Sequence, residues 1–106
     1  MASMLHEFTH DLVRLAMKVG KGYVIPMGPK NLVAIVTDLG VVGNDLLNTG
    51  MLEHLEFAAA KVVPAEGDVI ESLEDLIEGE IEMANWYAAH RHIEQGMDSL
   101  EALNRL

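Results

Sequence analysis

Met4, Phe8, Leu12, Leu15 and Val19 recur at helical spacing, and Gly20 stands where such a helix would stop, so the pattern predicts a first helix over 4–19. Gly20 to Pro29, GKGYVIPMGP, combines three glycines with two prolines and reads as a loop, with at most a short extended piece at Tyr23–Ile25. From Asn31, the residues Leu32, Ile35, Val36, Leu39, Val42, Leu46 and Leu47 return to a 3.6-residue period and predict a second helix. Val and Ile would also suit a strand there, and Gly40 and Gly43 weaken a helix. Met51 to Val63 reads as a short third helix ending before Pro64. Asp68 is placed to cap a long helix from Val69 to about Gln95, with Leu73, Leu76, Ile77, Ile81 and Ala84 on its apolar side. Gly96 ends that helix, and Asp98 or Ser99 caps a last one carrying Leu100, Leu103 and Leu106. The expectation is an all-α fold, a single helical domain over 1–106 arranged as a four- to five-helix bundle. Helices this short with such wide apolar faces bury the remainder against a second chain, which predicts a homo-oligomer.

Charge narrows the function classes. The chain has 106 residues, no cysteine and a net charge of -10, a field that repels phosphate backbones and argues against DNA or RNA as a partner. The acid is local: residues 64–106 hold 11 of the 17 carboxylates, and eight lie between Glu66 and Glu82 with no base among them. Such a run calls for solvent, a metal ion or a basic partner. No apolar run approaches a membrane span, and MASMLHEFTH lacks the basic start and apolar stretch of a secretory signal, so the expected compartment is the cytoplasm. Without cysteine there is no disulfide scaffold, thiolate zinc site or thiol nucleophile.

Several side-chain groups bear on chemistry. His6-Glu7-Phe8-Thr9-His10 matches HExxH, the zinc-protease pattern, but lacks a preceding strand platform and a defined third ligand, so a solvated helix face is the stronger reading. GKGYVIPMGPKN lacks the order of a phosphate-binding loop. On one long helix Glu71, Glu74, Asp75, Glu78 and Glu82 would fall within about 100° of one another, a stripe suited to Mg²⁺ or Mn²⁺ or simply to water. Glu80 would sit on the apolar side, calling for Arg91, Tyr87, a cation or a water-filled site. His90 and His92, two residues apart, would not share a helix face. Trp86 and His90, four apart, would, and they suggest a partner surface.

The segment Leu32–Leu47, LVAIVTDLGVVGNDLL, resembles the first metal-binding helix of MazG-like nucleotide pyrophosphohydrolases. Glu71-Ser72-Leu73-Glu74-Asp75-Leu76-Ile77 resembles that family's second motif, and Gly96-Met97-Asp98 with the closing leucine helix resembles its end. The resemblance implies an all-α homodimer or homotetramer that hydrolyses a nucleoside triphosphate to monophosphate and pyrophosphate on Mg²⁺ or Mn²⁺. By position it implies metal ligands at Asp38 and at Glu71, Glu74 and Asp75. A second register places Glu80 on the motif, as the catalytic acid, with Met83 where an aspartate belongs. Thr37 and Val41 stand where the family keeps glutamates. Two functions follow as expectations. One is a metal-dependent nucleotide pyrophosphohydrolase; the other is a non-catalytic acidic module that binds a basic protein.

Overall fold

The β-branched residues and the glycines, rather than the 3.6-residue spacing, decide the architecture. A computed structural model describes residues 9–67 and 69–106. The elements run β1 (Thr9–Arg14), β2 (Val19–Pro26), β3 (Asn31–Val36), β4 (Gly40–Gly43), α1 (Thr49–His54), β5 (Ala58–Val63), α2 (Leu73–Ile77), β6 (Glu80–Ala84), α3 (Trp86–Ala89) and α4 (Ser99–Asn104). The strands form one sheet in sequence order, antiparallel throughout except for the parallel pair β4 and β5, which α1 connects.

The expected all-α bundle is thereby corrected to a mixed α/β fold, and the helical domain over 1–106 with it. The second expected helix is β3, a tight turn and β4. Val33, Ile35 and Val42 face one side of the sheet, Ala34 and Val41 the other, and all are buried. A strand covered on both faces reads as a continuous apolar run, and such a run also satisfies a helical template. The expected loop at 20–29 is largely strand β2. A Cβ at Gly22 would lie 2.7 Å from Leu73 Cδ1, so glycine here lets α2 lie directly on the sheet.

The long helix from Val69 to Gln95 is divided into α2, β6 and α3. Gly79 makes the break: a Cβ there would clash with Val62 Cγ1 and lie 2.6 Å from the Val63 carbonyl oxygen. Asn85 then caps α3, its side chain accepting from the Ala88 amide. Ala58, Ala59 and Ala60 prefer helix in isolation but form the buried central strand β5. Tertiary packing overrides propensity where small side chains are needed on both faces. The closing helix is α4; of the two expected caps, Asp98 holds the N-cap position, but its side chain makes no cap hydrogen bond.

The main core lies on the face covered by α2 and α4. It contains Ile35, Leu76, Ile81, Ile93, Leu103 and Leu106, each fully buried and each contributing about 1.5–3 kcal/mol of transfer free energy. A smaller core on the other face joins Ala34, Val41 and Ala59 to Leu47, Leu52 and Phe57 beneath the α1 segment. The two edges of the sheet differ. Outside β6 the chain turns back, so that the Ile81 amide donates to the Met97 carbonyl and the Gly96 amide to the Ile81 carbonyl, both at 2.8 Å, and Glu80 bridges to Asp98. Outside β1, no strand pairs among the described residues. No helix among the described residues is long and apolar enough to cross a membrane.

Candidate functional site

α2 begins with a reciprocal cap. The Ser72 hydroxyl accepts from the Asp75 amide at 3.1 Å, while Asp75 Oδ2 accepts from the Ser72 amide at 3.2 Å and the Glu71 amide at 3.0 Å. The Glu71 amide, with further help from Ser72, holds the Asp75 carboxyl below its ordinary value against the opposing effect of desolvation. Asp75 is thus engaged in fixing the helix. Its neighbours Glu71 and Glu74 line a cleft of about 530 Å³ between α2 and the β1–β2 hairpin.

On the sheet side, Asp11, Leu12, Val13 and Val24 line the cleft; on the helix side, Ser72, Leu73 and Ile77 do. Asp11 pairs with Gly22 and Val13 with Gly20 in the β1–β2 ladder, so Asp11 and Val13 share the α2 face of the sheet. The result is an apolar floor with three carboxylates, Asp11, Glu71 and Glu74, and, among the described residues, no cationic lining residue. The ion pairs among the described residues tie Lys18 to Asp38, Lys30 to Asp45 and Arg105 to Glu101, all away from the cleft. Like charges around a partly enclosed apolar pocket favour a cationic ligand with an aliphatic stem.

The structure separates the expected metal ligands. Asp38 lies in the β3–β4 turn, 3.5 Å from Lys18 Nζ. Glu71 sits at the other end of β3, where its carbonyl accepts from Asn31 Nδ2 at 3.4 Å. The seven steps along the chain from Asn31 to Asp38 span roughly 20 Å. Glu71, Glu74 and Asp75 stay together at the start of α2, yet no three His, Asp or Glu side chains among the described residues converge to hold a metal. The donor set implied for Mg²⁺ or Mn²⁺ is therefore not assembled by these residues. Glu80, expected as catalytic acid on an apolar helix face, is exposed on β6 opposite Val63. A strand alternates its faces, so Ile81 takes the buried position instead. His6, Glu7 and Phe8 lie outside the described residues, as does Asp68; His10 lies on β1, 6.4 Å ring to ring from Tyr23.

A second group gathers around α3. Trp86 and His90 stack with ring centroids 3.8 Å apart, as their four-residue spacing suggested, and His90 Nδ1 lies 3.0 Å from the Trp86 carbonyl oxygen. Leu39, Glu56, Ala58, Tyr87, His90 and Arg91 line a smaller hollow of about 380 Å³ beside it. Here acid and bases are mixed, so the hollow carries no single electrostatic preference. Asp11 is the cleft residue that sequence reasoning passed over. It stands in THDLVR, where alternate positions separate Asp11 and Val13 from His10, Leu12 and Arg14, a period-2 signal masked by the helical spacing of Phe8, Leu12 and Leu15.

The fold and cleft define a mixed α/β domain with an acid-rimmed apolar cleft between α2 and the β1–β2 hairpin. The chain belongs to the DUF1805 family, a domain of unknown function whose sequence profile matches residues 46–106. That segment includes α2 and excludes β1, so the cleft joins the family-matched part of the chain to the part before it. The fold is shared with a protein of unknown function, TA1206 from Thermoplasma acidophilum, whose crystal structure superposes with a TM-score of 0.83. The two chains are 18% identical over 93% of this chain and 92% of that one. No curated protein matches the sequence. Family and fold together overturn the MazG-like resemblance: its motifs require acids on facing helices, and the segments that carry them here are two strands and a five-residue helix.

Proposed function

We propose that the protein is a non-catalytic binding module, acting in the cytoplasm, whose acid-rimmed cleft takes a basic, partly apolar segment of another protein. The observation that carries this reading is the lining itself: Asp11, Glu71 and Glu74 over Val13, Val24, Leu73 and Ile77, with no base among the described lining residues. A Lys or Arg side chain fits both parts, its aliphatic stem on the floor and its charge among the carboxylates. The reading retains the acidic-module function expected from the charge distribution and relocates it from a helix stripe to a cleft between helix and sheet. The nucleotide pyrophosphohydrolase reading has less support, since Asp38 stands apart from Glu71, Glu74 and Asp75 at the far end of β3.

The test is fluorescence anisotropy of a labelled Lys- and Leu-containing peptide with the parent protein and with Asp11→Asn, Glu71→Gln and Glu74→Gln combined. Removing three charges should weaken binding about tenfold or more at low salt, and raising salt should weaken the parent's binding while leaving the triple variant almost unaffected. Equal affinity for parent and triple variant, or tighter binding at high salt, would sink the proposal.

A further inference from the structure

We infer that the hollow beside α3 is a second binding site, which takes the zwitterion of a free α-amino acid with an apolar side chain. The mixed charge of the hollow is the first observation. Glu56 and Arg91 line it together, yet among the described residues neither the carboxylate nor the guanidinium enters an ion pair or a side-chain hydrogen bond. Opposite charges that share a hollow without closing on each other suit a ligand that carries both signs on one carbon. A volume of about 380 Å³ falls near the lower end of small-molecule sites, roughly 300–1,000 Å³, so the ligand is small. The site is separate from the acid-rimmed cleft, with which it shares no lining residue.

Backbone strain at the same place is the second observation. Glu56 has a φ of 63°, and His92, next to Arg91, has a φ of 65°. Glycine would hold either position without strain, and non-glycine residues in left-handed backbone collect where their side chains are needed. At Glu56 the strained position supplies the acid of the hollow. The apolar part comes from Leu39 in the β3–β4 turn, which is 40% exposed, from half-buried Tyr87 and from buried Ala58. His90 is braced against Trp86 by the ring stacking and by the contact of Nδ1 with the Trp86 carbonyl, so the wall beside Arg91 is held in place. The ammonium of an amino acid then meets Glu56, its carboxylate meets the fork of Arg91, and its side chain lies on Leu39, Ala58 and Tyr87. A basic protein segment is disfavoured here by Arg91.

The test is a titration of the isotope-labelled protein with L-leucine, L-phenylalanine, N-acetyl-L-leucine and L-leucinamide, following backbone amide shifts. The free amino acids should give saturable shifts at Leu39, Glu56, Tyr87 and Arg91, and capping either end of leucine should weaken binding about tenfold or more. Arg91→Gln should weaken leucine binding by a similar factor. Glu56→Gly separates a role in binding from one in packing: it should weaken leucine binding about tenfold while raising the denaturation midpoint. The absence of saturable shifts with both free amino acids overturns the inference. Full affinity after capping one end assigns the hollow to a single charge and overturns the zwitterion. Binding by Glu56→Gly or Arg91→Gln that equals the parent's removes the charged partners and overturns it as well.

Discussion

Replacing Asn85 with alanine should destabilise the protein more than any other single polar substitution made at a cap. Asn85 is 3% exposed and uses all four of its hydrogen-bonding positions. Its Oδ1 accepts from the amides of Ala59 at 3.1 Å and Ala88 at 3.0 Å, and its Nδ2 donates to the carbonyls of Thr49 at 3.1 Å and Phe57 at 2.9 Å. One side chain therefore joins α1, β5 and α3. Four bonds at about 1 kcal/mol each, with several partners left buried and unpaired, give an expected loss of about 3–5 kcal/mol. That is a large share of the roughly 5–15 kcal/mol that holds a domain together, and it corresponds to a fall in Tm of about 15–30 °C. The assay is urea unfolding followed by circular dichroism, with Asn48→Ala as control. Asn48 is exposed and makes one cap bond, to the Met51 amide at 2.9 Å, so its loss is expected near 1 kcal/mol. If Asn85→Ala cost no more than Asn48→Ala, the account of Asn85 as the tie between the three elements would be refuted.

Three further outcomes follow from local geometry. Ser99 is fully buried, with no partner for its hydroxyl among the described residues, so Ser99→Ala should be neutral or raise stability by about 1 kcal/mol; a loss above 1 kcal/mol in urea unfolding would show that the hydroxyl is satisfied. Glu56 and His92 occupy left-handed backbone, with φ of 63° and 65°, where α1 and α3 end and glycine is normally found; Glu56→Gly and His92→Gly should each raise the denaturation midpoint, by about 0.5–1 kcal/mol, and a lowered midpoint would contradict the strain. Asp75 has its folded-state pKa lowered, chiefly by the Glu71 amide, so its contribution is complete above the ordinary aspartate value of 3.8 and is lost as pH falls through the lowered folded value. The stability gap between the parent and Asp75→Asn should therefore shrink with acid below pH 3.8 in a pH series of urea midpoints; a gap that widens there would reverse the sign.

The sequence disclosed some elements and concealed others for definite reasons. α4 was legible because Gly96 and Asp98 mark its start and Leu103 and Leu106 its buried side, although Leu100, expected with them, is exposed. The strands β3 and β4 were concealed because both their faces are covered, which removes the polar alternation that distinguishes a strand from a helix. β5 was concealed by Ala58–Ala60, whose helical preference yields to the need for small side chains between two layers. The division of the supposed long helix turns on Gly79, whose missing Cβ avoids β5, a long-range demand that local spacing does not express. For the site, the acidic run was visible and its geometry was not. Glu71 and Glu74 belong to the cleft, Asp75 to the cap and Glu80 to a strand, and the acid that completes the cleft, Asp11, lies 60 residues before Glu71.

The measurement that addresses the cleft most directly is an NMR titration of the isotope-labelled protein with the Lys- and Leu-containing peptide, following backbone amide shifts. The account predicts saturable shifts centred on Asp11, Val13, Glu71, Leu73 and Glu74, diminishing as salt is added. Shifts confined to the hollow around Trp86, His90 and Arg91, or no saturable shift at all, would contradict it.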